Sequence, residues 1–168
     1  MMPPFVLHEL SIANPREQTP FGPSPSYNDG WWTRPDAPDG VNMRYFELRE
    51  GTTDLTRIRV FDPSNIRVQL DGFDLTFDTI EVDRIETRVE RQREGFAVTA
   101  LILLRERFDS FQIAAFSHKD EFWRKTDFEP RRRVDGNTGA ATVFVAPPLS
   151  ASQGSRHDAQ PWARPDMV

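Results

Sequence analysis

The sequence predicts a mainly β protein: a single antiparallel β-sandwich or barrel domain of about seven to eight strands, held between extended Pro-rich N- and C-terminal arms. Three observations predict it. Eight of the 14 prolines fall in residues 1–40, whereas residues 41–129 contain only Pro63. Proline lacks a backbone donor and is excluded from helix interiors and central strands, so its distribution divides an arm (1–40), a β-domain (41–146) and a tail (147–168). Within the middle, residues 58–61 and 66–70 alternate apolar and polar, the period of a half-buried strand. Turn signals then punctuate these runs, among them Asp62-Pro63-Ser64-Asn65, Asp71-Gly72 and Asp135-Gly136-Asn137.

The arm 1–40 is broken by proline yet carries Phe5, Leu7, Phe21, Tyr27, Trp31 and Trp32. A segment that buries nothing is poor in such residues, so the arm is expected to lie on a surface, either its own core or a neighbouring subunit. Together with Trp123 and Trp162, these residues are the candidate partner-binding set. Met43, Tyr45, Phe46 and Leu48 open the core. The runs 58–61, 66–70 and 73–77 then read as an antiparallel meander, with the Pro63 turn inside it.

Residues 78–94 admit two readings. Asp78-x-x-Glu81 forms a capping box, and Val82, Ile85 and Val89 share a helical face, which allows one helix at 79–94. The β-branched Thr79, Ile80, Val82, Ile85, Thr87 and Val89 favour instead a long hairpin with the run 96–104, apolar on both faces like a central strand. Residues 108–116 and 141–145 complete the strands, the last ended by Pro147-Pro148.

The chemistry-bearing residues are scattered. Cysteine is absent, which excludes disulfides, thiolate catalysis and Cys-based metal sites. His8, His118 and His157 share no ligand spacing, and Ser155 with His157-Asp158 lies in an irregular tail. Asp71, Asp74, Asp78 and Asp83 lack the spacing of a calcium loop and read as a solvated face. Arg124-Lys125 and Arg131-Arg132-Arg133 are interleaved with Asp120, Glu121, Asp127 and Glu129, and the net charge is −5, so nucleic acid is not an expected partner. No apolar run approaches the roughly 20 residues of a membrane helix, and the N-terminus has no secretory pattern. No catalytic residue, metal or cofactor is therefore assigned.

In layout, a modest β-domain with Pro-rich arms resembles the small accessory proteins of assembled particles, such as tailed-phage head or tail components. The resemblance implies a non-enzymatic structural subunit, in a virion or the cytoplasm. Such a subunit would assemble through its arms with other subunits of the same particle, in homo-oligomeric and hetero-contacts. A small β-sandwich module binding a ligand or carbohydrate is the alternative.

Overall fold

The computed structural model describes residues 4–73, 75, 78–137 and 139–150. Its strands are β1 (Val6–Leu10), β2 (Asn42–Glu50), β3 (Thr53–Asp62), β4 (Thr79–Thr87), β5 (Gln112–Ser117), β6 (Glu129–Arg131) and β7 (Thr142–Ala146). Its helices are α1 (Asp29–Trp32), α2 (Phe96–Arg107) and α3 (Asp120–Trp123), with a single 3-10 turn over Val89–Arg91. The strands form one sheet in the order β1-β2-β3-β4-β5-β7-β6. Every neighbouring pair is antiparallel except β4 and β5, which run parallel.

The expected antiparallel sandwich or barrel is thus corrected to an open mixed sheet with helices. The parallel pair explains the change. Two parallel neighbours cannot be joined by a tight turn and need a crossover of a dozen or more residues. Residues 96–104, read as a central strand, belong to that crossover: they lie in α2, whose buried face carries Phe96, Ala100, Leu101 and Leu104. Spacings of four, one and three residues are helical, and alanine and leucine are among the best helix formers. Each fully buried Leu or Phe contributes about 1.5–3 kcal/mol, against at most about 0.7 kcal/mol per residue from propensity. Packing therefore decides the helix.

The segment 79–94 is neither a helix nor half of a hairpin with 96–104. Its first nine residues are β4, a strand between β3 and β5, and its end is the 3-10 turn. The expected strand at 66–70 is absent as well. That stretch is irregular, and Leu70 bridges Phe73 and Arg133. Its alternation places Ile66 and Leu70 against Ala114, Val143 and Val145 on a sheet face, so the pattern records burial without pairing. Pro130 sits in β6 at the edge of the sheet, where a missing donor costs least.

The two faces of the sheet are covered differently. On one, Phe46, Ile58, Val60, Ile80, Val82, Ile113 and Phe144 pack with α2 and Trp123. On the other, Phe21, Tyr27 and Trp32 from the N-terminal segment cover Met43, Tyr45 and Phe61. Ile66, Val68, Leu70, Phe73 and Leu75 cover β5 and β7 further along that face.

Candidate functional site

β4 and β5 pair only from Thr79/Gln112 to Val82/Ala115. Beyond that point β4 runs on to Thr87 against β3, and Phe116 and Ser117 of β5 pair with β7 alone. The two strands therefore part toward their C-terminal ends. A β-bulge marks the place: Arg59 faces Arg84 and Val60 faces Val82, which leaves Asp83 as the extra residue of β4. Bulges bend a strand and sharpen its twist, so this one turns the end of β4 away from β5. The Asp83 carboxylate is held by the buried Arg59 guanidinium at 2.5 Å, which pins the bend.

The chain leaving β4 runs through the 3-10 turn into the N-terminus of α2, the start of the crossover that joins the two parting strands. Gly95 caps the helix with φ +86, a left-handed conformation that glycine adopts without strain, and a Cβ there would meet nothing within 4 Å. Arg93, two residues earlier, is also left-handed, with φ +69. Such a conformation costs a non-glycine residue roughly 1–3 kcal/mol and persists where surrounding structure imposes it. The Thr99 N–H bonds to the Gly95 carbonyl at 3.0 Å. Among the described residues, no oxygen accepts a hydrogen bond from the N–H groups of Gly95, Phe96, Ala97 or Val98. Four free donors at the positive end of a 12-residue helix make an anion-binding surface. Arg91 covers the Phe96 ring at 4.8 Å and pairs with Glu94 at 2.8 Å, whereas Arg93 is exposed and pairs with no carboxylate among the described residues.

A carboxylate lies at the base of the gap on the opposite face. Ile80 and Val82 point into the α2 core, so Glu81 between them points away from it. Glu81 is only 7% exposed. Its Oε2 accepts the Asn65 N–H at 2.7 Å and the Ser64 hydroxyl at 3.3 Å. No cation lies within 4 Å of it among the described residues. Burial pushes its carboxyl above the usual carboxylate range, against the pull of those hydrogen bonds and of Arg67, while Asp83 adds to the rise.

The residues expected to bind a partner lie elsewhere. Phe21, Tyr27 and Trp32 are buried on the far sheet face, and the Trp32 indole donates to Glu86 at 2.6 Å. Trp123 is buried between Phe122, Phe128 and Phe144. Phe5 and Leu7 are half-buried at the margin of the α2 core, Phe5 edge-on to Phe96, and Trp31 is 43% exposed. Trp162 lies outside the described residues, as do Asp74, Phe77, Ser155 and His157. The gap residues went unnoticed in the sequence because 96–104 read as a strand. A strand, a loop ending in Gly95, a helical run and a second strand form a βαβ unit with glycine at its first junction, and that signal was available.

No protein-family model matches the chain, and no curated protein matches it in sequence. In fold it is similar to solved structures. The ribosomal-protein-S18-alanine N-acetyltransferase from Escherichia coli superposes with a TM-score of 0.50 at 9% identity, covering 86% of this chain and 94% of that one. A KacTA–DNA complex gives 0.55 at 10% identity, covering 92% and 100%. The likeness is one of fold. An acetyltransferase from Thermus thermophilus matches at 0.48 with 16% identity over 65% of this chain, which spans 66% of that protein's length. This fold overturns the expectation of a non-enzymatic virion component of a phage tail or capsid, because the chain shares an enzyme's open mixed sheet. Among the described residues no helix is long and apolar enough to cross a membrane.

Proposed function

We propose that the chain is an N-acetyltransferase whose acetyl-CoA donor is held at the gap between β4 and β5. The observation that carries this reading is that the crossover joining the two parting parallel strands begins with the free N–H groups of α2. In open α/β sheets, ligands favour the crevice beyond the carboxyl ends of the strands. The shared fold with an N-acetyltransferase supports the same reading.

The residues present fit such a donor. A diphosphate needs several convergent donors, and the N–H groups of residues 95–98, with Arg93 beside them, supply them without a lysine. Gly95 leaves the approach open, since no atom lies within 4 Å of where its Cβ would be. The edge of β4 from Asp83 onward carries no strand on its β5 side among the described residues, so its peptide groups can pair with an amide-bearing arm as a strand would. When bound, the donor supplies an electrophilic thioester carbonyl. The chain's own part is to hold that group beside the parted strands and to keep an amine on the opposite face.

Titration calorimetry with coenzyme A tests the reading. Saturable one-to-one binding is expected, with inorganic pyrophosphate competing for the α2 site. Absence of binding by both coenzyme A and acetyl-CoA at millimolar concentration would overturn it.

A further inference from the structure

The two outer edges of the sheet differ. β6 is three residues long and contains Pro130, and both features discourage a further strand. β1 has five residues, no proline and no lysine, and its pairing with β2 runs without a register shift. Among the described residues no strand pairs with its outer side, so its backbone donors and acceptors there form an open template. Both apolar layers also thin out at this edge. Toward α2, Phe5, Leu7 and Leu103 are only half-buried against the core. On the other face Leu10 and Ile12 are half-buried, and Val6 is 46% exposed. Glu9 is the acidic residue of β1, and Arg44 at 2.7 Å, together with Arg107, neutralises it in place.

We infer that the outer edge of β1 pairs with β1 of a second copy of this chain, antiparallel about a two-fold axis at His8, so that two sheets become one. This pairing does not depend on the acyl-transfer reading. An axis at His8 is the one that engages all five residues of both strands. In that register Val6 meets the partner's Leu10, Leu7 meets the partner's Glu9, and His8 meets the partner's His8. Charge suits a copy of the same strand: no two carboxylates and no two guanidinium groups of the strands oppose each other, and Glu9 arrives with its charge already matched. The exposed Val6 is covered by a leucine. Because the axis stands perpendicular to the sheet, each layer of one copy continues on the same face in the other, which gives Phe5, Leu7 and Leu103 their missing cover. The area is sufficient. Five residues at about 3.4 Å make an edge about 17 Å long, and a sheet with a layer about 10 Å away on each side is about 30 Å thick with its side chains. Each copy then presents about 500 Å², and the pair buries about 1,000 Å², the size at which a specific interface begins.

Sedimentation equilibrium of the full chain at submillimolar concentration should give twice the chain's mass. The chain has no cysteine, so a single introduced thiol reports what lies beside it. His8→Cys should form an intermolecular disulfide on mild oxidation, because facing Cα atoms of an antiparallel pair lie about 4.5–5.5 Å apart. Val6→Cys should not, since its counterpart in the other copy lies four residues away along the strand, about 14 Å off. His8→Lys, which sets two ammonium groups against each other, should weaken the dimer about tenfold or more, and His8→Thr should keep it. A circular dichroism spectrum like the parent's shows that each variant is folded. A parent chain that is monomeric at that concentration overturns the pairing, even if it takes up another protein at β1. A dimer that His8→Lys leaves intact, or in which His8→Cys and Val6→Cys cross-link equally, places the second copy on a different surface and overturns it as well.

Discussion

Replacing Ala97 by glutamate separates stability from binding by their signs. Ala97 is half-buried in the first turn of α2, two residues after the Gly95 cap, and it lies among the free N–H groups. A carboxylate there faces the positive end of the helix, worth about 0.3–1 kcal/mol in its favour. Glutamate gives back a few tenths in propensity relative to alanine, so the melting temperature should hold or rise by about 1–2 °C. Toward a bound diphosphate the same carboxylate is repulsive. At roughly 5 Å and an effective dielectric near 40, two negative charges oppose it by about 3 kcal/mol, or roughly 100-fold in affinity. Ala97→Lys should do the opposite, with a lower melting temperature and coenzyme A binding kept or tightened. Calorimetry and thermal melts on the two variants measure both quantities. If both variants bind coenzyme A like the parent chain, or both lose it equally, the first turn of α2 is not an anion site.

Leu104→Ala removes a fully buried side chain of α2 and should cost about 3–5 kcal/mol in urea denaturation; a loss below about 1 kcal/mol would mean that α2 is not packed on the sheet. The carboxyl of Glu81 sits above its unfolded value of 4.5, so the stability it contributes is complete below that pH and is lost as pH rises through the folded value. Stability of Glu81→Gln relative to the parent should therefore increase from pH 4.5 upward, and urea titrations giving the same difference at acid and neutral pH would refute the burial argument. Deleting residues 1–40 removes β1 and the Phe21, Tyr27 and Trp32 layer over Tyr45 and Phe61. At roughly 2–3 kcal/mol for each of three aromatics, the loss rivals the whole stability of an ordinary domain, and cooperative unfolding should vanish. A sharp, native-like melt of the shortened chain would count against it.

Much of the sheet was legible in the sequence. Met43, Tyr45, Ile58, Val60, Val143 and Val145 alternate with their neighbours along the chain, and all six lie in strands with those side chains buried. The alternation says which residues are buried, and it is the same for parallel and antiparallel partners. Direction of pairing was therefore invisible at β4, whose neighbour β5 lies about 30 residues away. Alternation also misled at residues 66–70, where it served packing on a sheet face. The candidate site shows the same division. Asp78-x-x-Glu81 resembled a capping box and Pro63-Ser64 a turn, and nothing local to either motif brings Ser64 to the carboxylate.

The sequence by itself determined that the middle is strand-rich, that the N-terminal segment carries side chains that need burial, and that no thiol chemistry is present. Burial preference is a property of each residue and its near neighbours, so a sequence displays it. The tertiary structure alone decided that β4 and β5 run parallel and part after Val82, that residues 96–107 are a helix, and that Gly95 caps that helix in a left-handed conformation. Those features follow from packing between segments far apart in the chain. A short apolar run takes its helical or extended form from the partner that buries it.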